Sequence, residues 1–432
     1  MISRISIYVI AASALSALIL PVTVSANQSD CVSSYNAKTD YFPDKVQNKY
    51  NSGFDVTYKN NAKYIRNNIS GETYVVYQCG TPMPEDANPT PANSLQVGNW
   101  TKVMAVPGTK VVLDSAPASA VVELLGMQDS VAATYKYFDI TSACMQKRIA
   151  SLPRIEQNFG TPDSRRRRRR SAGSSTSGSL VRRVSYDLSK DGLQWTFTTY
   201  GMSDPHSIAV NPESAKDMLG KAEWIKYIAA FYNKEAEANK IFDQIEASYN
   251  SAKGSATKGS KTVGIARYNK VANGTVTGWS IDQLQPWLVQ GIEDAGMKAY
   301  SGDSKSFKNV DDFYTAVKNW DVLIDNSIEP LTHGGAKIPE WDNLVDGYKF
   351  DSDKSYKSLP FLSSKAIYRS DLISSYGNAT DYNEHLQIQV DVLLKDLIKI
   401  SKASSGAKDT TWYRNMVTQE PVQWVSANDC KN

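Results

Sequence analysis

Apolar residues recur at helical spacing over one unusually long stretch, 212–254. Trp224, Ile225, Ile228, Phe231, Ala238, Ile241, Phe242, Ile245 and Tyr249 fall on the rows that share one helix face. No Gly or Pro interrupts the chain between Gly220 and Gly254, and Lys253 with Gly254 supplies a last-turn cation and a C-terminal cap. The pattern predicts one connecting helix. On both sides of it, short apolar runs alternate with amphipathic ones. Before it, strands are expected over 110–113, 130–137, 193–199 and 207–210, with helices over 118–125 and 141–151. After it, strands are expected over 262–269, 320–325 and 365–368, with helices over 281–296, 307–319 and 385–401. This alternation predicts an α/β class of two Rossmann-like lobes, each a largely parallel sheet with helices on its faces.

Segments outside the alternation refine the domain plan. Residues 1–26 read as a signal peptide: Arg4, then an uncharged apolar run, then the small-x-small site Val24-Ser25-Ala26. Residues 27–211 are then an N-terminal lobe with an extension, in which 54–64 and 74–79 are strand candidates. Residues 255–432 are a C-terminal lobe and a tail returning to the first. Residues 161–185 hold Arg165 to Arg170 beside a Gly/Ser tract, which cannot pack a core and reads as a disordered insertion. That run could serve as a solvated loop, a protease site or a contact for an anionic surface.

Charge changes the picture once the insertion is set apart. The formal net charge of +3 becomes −6 without Arg4, Arg165 to Arg170, Arg182 and Arg183. The folded body is mildly acidic, which argues against a nucleic-acid partner. Four cysteines, Cys31, Cys79, Cys144 and Cys430, suit two disulfides in an exported chain, with three pairings open. The expected pairing joins Cys31 to Cys430 and Cys79 to Cys144. Sequons at Asn27, Asn68, Asn99, Asn273 and Asn378 fit a secreted or cell-surface glycoprotein.

The segments TKVVLDSAPASAVVELLGMQDSVAATYKY, GKAEWIKYIAAFYNKEAEANKIFDQIEASYN, KTVGIARYN, TGWSIDQLQPWLVQGIEDAGM, FKNVDDFYTAVKNWDVLIDNS and KAIYRSDLISSYGN resemble the class III periplasmic substrate-binding proteins. YVVYQCG and TWYRNMV look like a eukaryotic branch of that family with extra terminal elements. The resemblance implies two lobes joined by a single long helix, a ligand cleft between them, and the role of an ABC-transporter binding component for siderophore, haem or cobalamin. It covers roughly 105–400 without the insertion.

In such a fold the loops at the carboxyl ends of strands line the cleft. This nominates Ser115, Tyr135, Tyr137, Arg267, Trp279, Tyr368 and Arg369 as ligand-binding residues. Aromatic faces would stack on a planar ligand, and the arginines would meet carboxylate, catecholate or phosphate oxygens. An iron siderophore or similar anionic chelate is the expected small-molecule partner of a monomeric, secreted protein without a resident cofactor. Each residue also has a plainer reading: Tyr135 as lobe core, Trp279 as a cap, Arg369 paired with Asp371. His206, His333 and His385 show no metal-ligand spacing. No nucleophile elbow, zinc-protease helix or P-loop occurs, so no enzyme is expected. The alternative is a structural or adhesive glycoprotein that keeps the fold and lacks the ligand.

Overall fold

The computed structural model describes residues 27, 29–50, 53–85, 87, 101–135, 139–152, 192–199, 206–330, 336–350 and 358–431. The signal segment, Asn99, Tyr137, His333 and the arginine-rich insertion lie outside these residues.

The N-terminal extension forms its own sheet. Strands β1 (Phe54–Lys59), β2 (Ala62–Asn67), β3 (Thr73–Gln78) and β4 (Thr101–Val106) pair in that order. The single strand expected over 54–64 is a hairpin, because Asn60 takes a positive φ of 32° and turns the chain. The first lobe follows. It comprises β5 (Val111–Asp114), α1 (Ala116–Leu124), β6 (Val131–Thr134), α2 (Ala143–Ala150), β7 (Trp195–Thr198) and β8 (Ser207–Ala209). Its four strands run in the order β6-β5-β7-β8, and every pairing is parallel. The buried strand VVLD carries apolar residues on both faces, as a covered parallel sheet requires, while WTFT sets Trp195 and Phe197 on one face and the buried Thr196 and Thr198 on the other.

The connecting region departs from the expectation of one helix. It consists of α3 (Met218–Ala222), α4 (Trp224–Ala229) and α5 (Glu235–Ser255). The break before α5 falls at Asn233, whose φ of 57° is left-handed. Tertiary contacts fix it there. The Lys63 ammonium, fully buried, donates to the Ala230 carbonyl at 2.6 Å and to Asn233 Oδ1 at 2.8 Å, and pairs with Glu235 at 2.5 Å. One cation thus closes the C-terminal end of α4 while its anionic partner opens α5, both favourable against the helix dipoles. Every residue of α4 is buried, since the extension's sheet covers its other side: Phe54 lies 5.3 Å from both Trp224 and Tyr227, and Tyr74 meets Phe231 edge-on at 5.5 Å.

The second lobe opens with β9 (Thr262–Lys270) and β10 (Val276–Asp282), so the helix expected from Ile281 starts later, as α6 (Pro286–Asp294). Then come β11 (Lys298–Ala299), β12 (Lys305–Phe307), α7 (Val310–Val317), β13 (Val322–Asp325), β14 (Glu329–Pro330), β15 (Ala336–Lys337), α8 (Trp341–Tyr348) and α9 (Pro360–Ser363). The chain closes with β16 (Ile367–Arg369), β17 (Ile373–Ser375), α10 (Asp381–His385), α11 (Val390–Lys402), β18 (Arg414–Asn415) and β19 (Gln423–Val425). The main sheet runs β12-β10-β9-β13-β16-β18, with β11 also on β9; β9, β13 and β16 are mutually parallel. The fold is a mixed α/β structure of several sheets. No helix among the described residues is long and apolar enough to cross a membrane.

The disulfide pairing is corrected. Cys31 bonds Cys79 and Cys144 bonds Cys430, with Cα separations of 4.6 and 4.7 Å. The N-terminal segment lies along the end of β3, where Val32 N–H donates to the Cys79 carbonyl at 2.9 Å. The C-terminal tail leaves β19, which pairs with β17, and reaches α2 of the first lobe. Each cysteine therefore meets its nearest partner in the fold, and the expected pairs lie on different segments.

Candidate functional site

A cavity of about 620 Å³ opens where the carboxyl ends of the first lobe's strands meet the loop after β17. The first lobe contributes Ser115 after β5, Asp139 after β6, Thr199 after β7 and Glu213 after β8. The facing wall comes from 378–387, including Asn378, Asn383 and Gln387. This is the crevice that an open parallel sheet presents to ligands.

Two buried polar atoms in its lining lack protein partners. Ser115, 2% exposed, is the N-cap residue of α1, yet its hydroxyl makes no capping bond. Gln387, 3% exposed, donates through Nε2 to Glu213 Oε1, while its own Oε1 is unpartnered. Buried polar groups are ordinarily satisfied, so two orphans in one cavity wall call for a ligand or solvent. Asp139 and Glu213 line the wall, Glu213 is paired at 2.9 Å with the buried Lys221, and no Arg or Lys is among the described lining residues.

Of the residues nominated from sequence, Ser115 lines this cavity. Tyr135 is half-buried and packs beside Val112 and Ala133. Arg267 pairs with Asp282 at 2.6 Å. Trp279 is buried in the second lobe's core and donates to the Gly347 carbonyl at 3.0 Å. Tyr368 is buried and accepts from Ala407 N–H at 2.6 Å. Arg369 is clamped between Asp325 and Asp371, 2.6 Å from the latter, and Arg414 continues the network from Asp371 to Glu340 at 2.8 and 3.0 Å. These five therefore do not gather around the cavity. The sequence reading missed Glu213, Asn383 and Gln387; the one signal for them was their position after strand ends.

Beside the cavity, α10 latches the two lobes together. Glu384, fully buried, accepts from Ser119 Oγ at 2.6 Å, from Thr141 N and Oγ1 at 2.6 and 2.5 Å, and from Ser142 N at 3.0 Å. Asp381 accepts from Trp412 Nε1 at 2.7 Å and Thr141 Oγ1 at 3.2 Å. His385 Nδ1 lies 2.9 Å from Asp381 Oδ1, an ion pair when the imidazole is protonated. Burial pulls the imidazolium down, but Asp381, Glu384 and Glu123 around it prevail and raise its pKa to about 9. Donor atoms of Asp381, Glu384 and His385 cluster within 4.8 Å, as a metal site would need. Glu384 already accepts from Ser119, Thr141 and Ser142, and Asp381 from Thr141 and Trp412, so these two carboxylates form a hydrogen-bonded latch.

No family profile matches the chain, and no curated protein matches it in sequence. Solved structures do align with it. A possible iron-binding periplasmic solute-binding protein from Staphylococcus epidermidis is 10% identical, covers 68% of this chain and 98% of its own, and gives a TM-score of 0.44. An ABC-transporter substrate-binding protein from Listeria monocytogenes is 13% identical, covers 68% and 99%, and gives 0.42. The periplasmic heme-binding protein HutB of Vibrio cholerae is 13% identical, covers 67% and 99%, and gives 0.42. These are of the kind the sequence resembles. At such identity and overlap they carry no argument about the ligand, and the architecture rests on the strand pairings.

Proposed function

We propose that this protein is an exported small-ligand-binding protein that holds its ligand between the lobes. The observation that carries the reading is the pair of unpartnered buried atoms, Ser115 Oγ and Gln387 Oε1, in one cavity at the carboxyl ends of the strands. The cavity's volume of about 620 Å³ suits a drug-sized molecule. Its lining favours a neutral or cationic ligand bearing hydroxyl or amine groups. An anionic chelate fits less well, because Arg267 and Arg369 are already paired with carboxylates and the described lining offers no Arg or Lys. Two disulfides accord with export into an oxidising compartment.

A second reading, a structural glycoprotein without a ligand, draws on the latch at Glu384 and the disulfide between α2 and the tail, which together restrain closure. Thermal shift with spermidine, sucrose and citrate separates the two. The binding reading expects stabilisation by spermidine or sucrose, none by citrate, and loss of the effect in Ser115→Ala. That variant keeps its own melting temperature, since the hydroxyl has no partner to lose. Stabilisation by citrate alone overturns the ligand class. No shift with any probe favours the structural reading.

A further inference from the structure

We infer that Asn378, which lines the cavity, carries an N-linked glycan whose first sugar seats on the exposed aromatic stack of Tyr376 and Trp424. The stack is the unexplained feature. β17 and β19 pair in parallel, Ser374 opposite Trp424, and the two rings beside this pairing lie face to face at 5.3 Å and 10°. Tyr376 is 74% exposed and Trp424 42%. A flat apolar platform of that kind, held in place and left open to water, asks for a cover.

The cover is supplied by the same turn. The chain folds back at 375–379, with Asn378 N–H donating to the Ser375 carbonyl at 2.8 Å and Ser375 N–H to the Ala379 carbonyl at 2.9 Å. Asn378 adopts a φ of 64°, a left-handed position that Asn tolerates. It is exposed, lies two residues after Tyr376 and begins the sequon Asn378-Ala379-Thr380. The C–H face of a sugar ring packs on an aromatic face, so an aromatic two residues before a glycosylated Asn is placed to receive it.

The other described sequons lack this arrangement. They are Asn27, Asn68 and Asn273. None of the three follows an exposed aromatic by two residues.

In the modification, Asn378 Nδ2 gives up a proton and bonds the anomeric carbon of N-acetylglucosamine on a lipid-pyrophosphate donor. The carbon–oxygen bond to the pyrophosphate breaks, and the lipid pyrophosphate leaves with the electron pair. Because Asn378 also lines the cavity, the glycan narrows its mouth; this consequence rests on the cleft being the binding site.

The test secretes the full chain from a eukaryotic host and reads glycopeptide masses at Asn378. It then compares melting temperatures before and after enzymatic deglycosylation, in the wild type and in Tyr376→Ala/Trp424→Ala. Expected are an occupied Asn378 and a fall of about 1–2 °C on deglycosylation of the wild type that vanishes in the variant. An unmodified Asn378, or an equal fall in both proteins, overturns the seat. Either failure leaves the thermal-shift test of cleft binding untouched, so the two readings fail separately.

Discussion

At the scale of single residues, the chemistry concentrates in side chains that the fold either satisfies completely or leaves open. Glu384 is saturated with four donors from the opposite lobe, while Ser115 Oγ and Gln387 Oε1 have none. The first pattern is what a structural latch requires and the second what a binding wall requires. His385 links the latch to pH. Its folded pKa of about 9 lies above the ordinary value of 6.5, so protonation favours the folded state. The contribution is fully present below pH 6.5 and is lost as pH rises through 9, and amounts to on the order of 3 kcal/mol. Urea unfolding midpoints should therefore fall across that window in the wild type and stay flat in His385→Asn; parallel curves would refute the assignment. Of the arginine partners, Asp371 beside Arg369 was legible in the sequence, whereas Asp325 was not. Arg369 and Asp325 stand 44 residues apart, and only the register of β13 beside β16 brings them together.

Among elements, the connecting region shows how tertiary contacts override a local pattern. The helical periodicity of 235–255 is real and visible in the sequence as α5. The break at Asn233 is not visible, because Asn within a helix is only mildly unfavourable and its left-handed turn is fixed by Lys63 and Gln78 of the distant extension. The extension thereby becomes part of the fold's spine. Lys63→Met should cost about 3–5 kcal/mol, since it leaves Glu235 buried beside a helix end without its cation. Chemical denaturation measures this; a loss under ~1 kcal/mol would mean that the pair does not hold the break. The strands of both lobes were largely legible from apolar runs. β10 was not, because its buried Trp279 and Ile281 alternate with polar residues too briefly to outweigh the helical pattern that follows.

For the whole molecule, the ties that join the lobes among the described residues include the helices from α3 to α5, the buried latch on Glu384, and the Cys144–Cys430 bond across 286 residues of sequence. A disulfide closing so long a loop contributes about 2–4 kcal/mol by restricting the unfolded chain. Together these ties describe a clamp set in its geometry before any ligand arrives, which lowers the ordering cost of binding. The account therefore stands or falls on whether the cavity at their junction is occupied. Native mass spectrometry of the protein, purified without added ligand, tests this most directly when the wild type is run beside Asn383→Trp, a substitution at an exposed lining residue that fills the cavity. The account predicts a small organic molecule bound one-to-one in the wild type and absent from the variant. A ligand-free mass in the wild type, or the same adduct in both proteins, would contradict it.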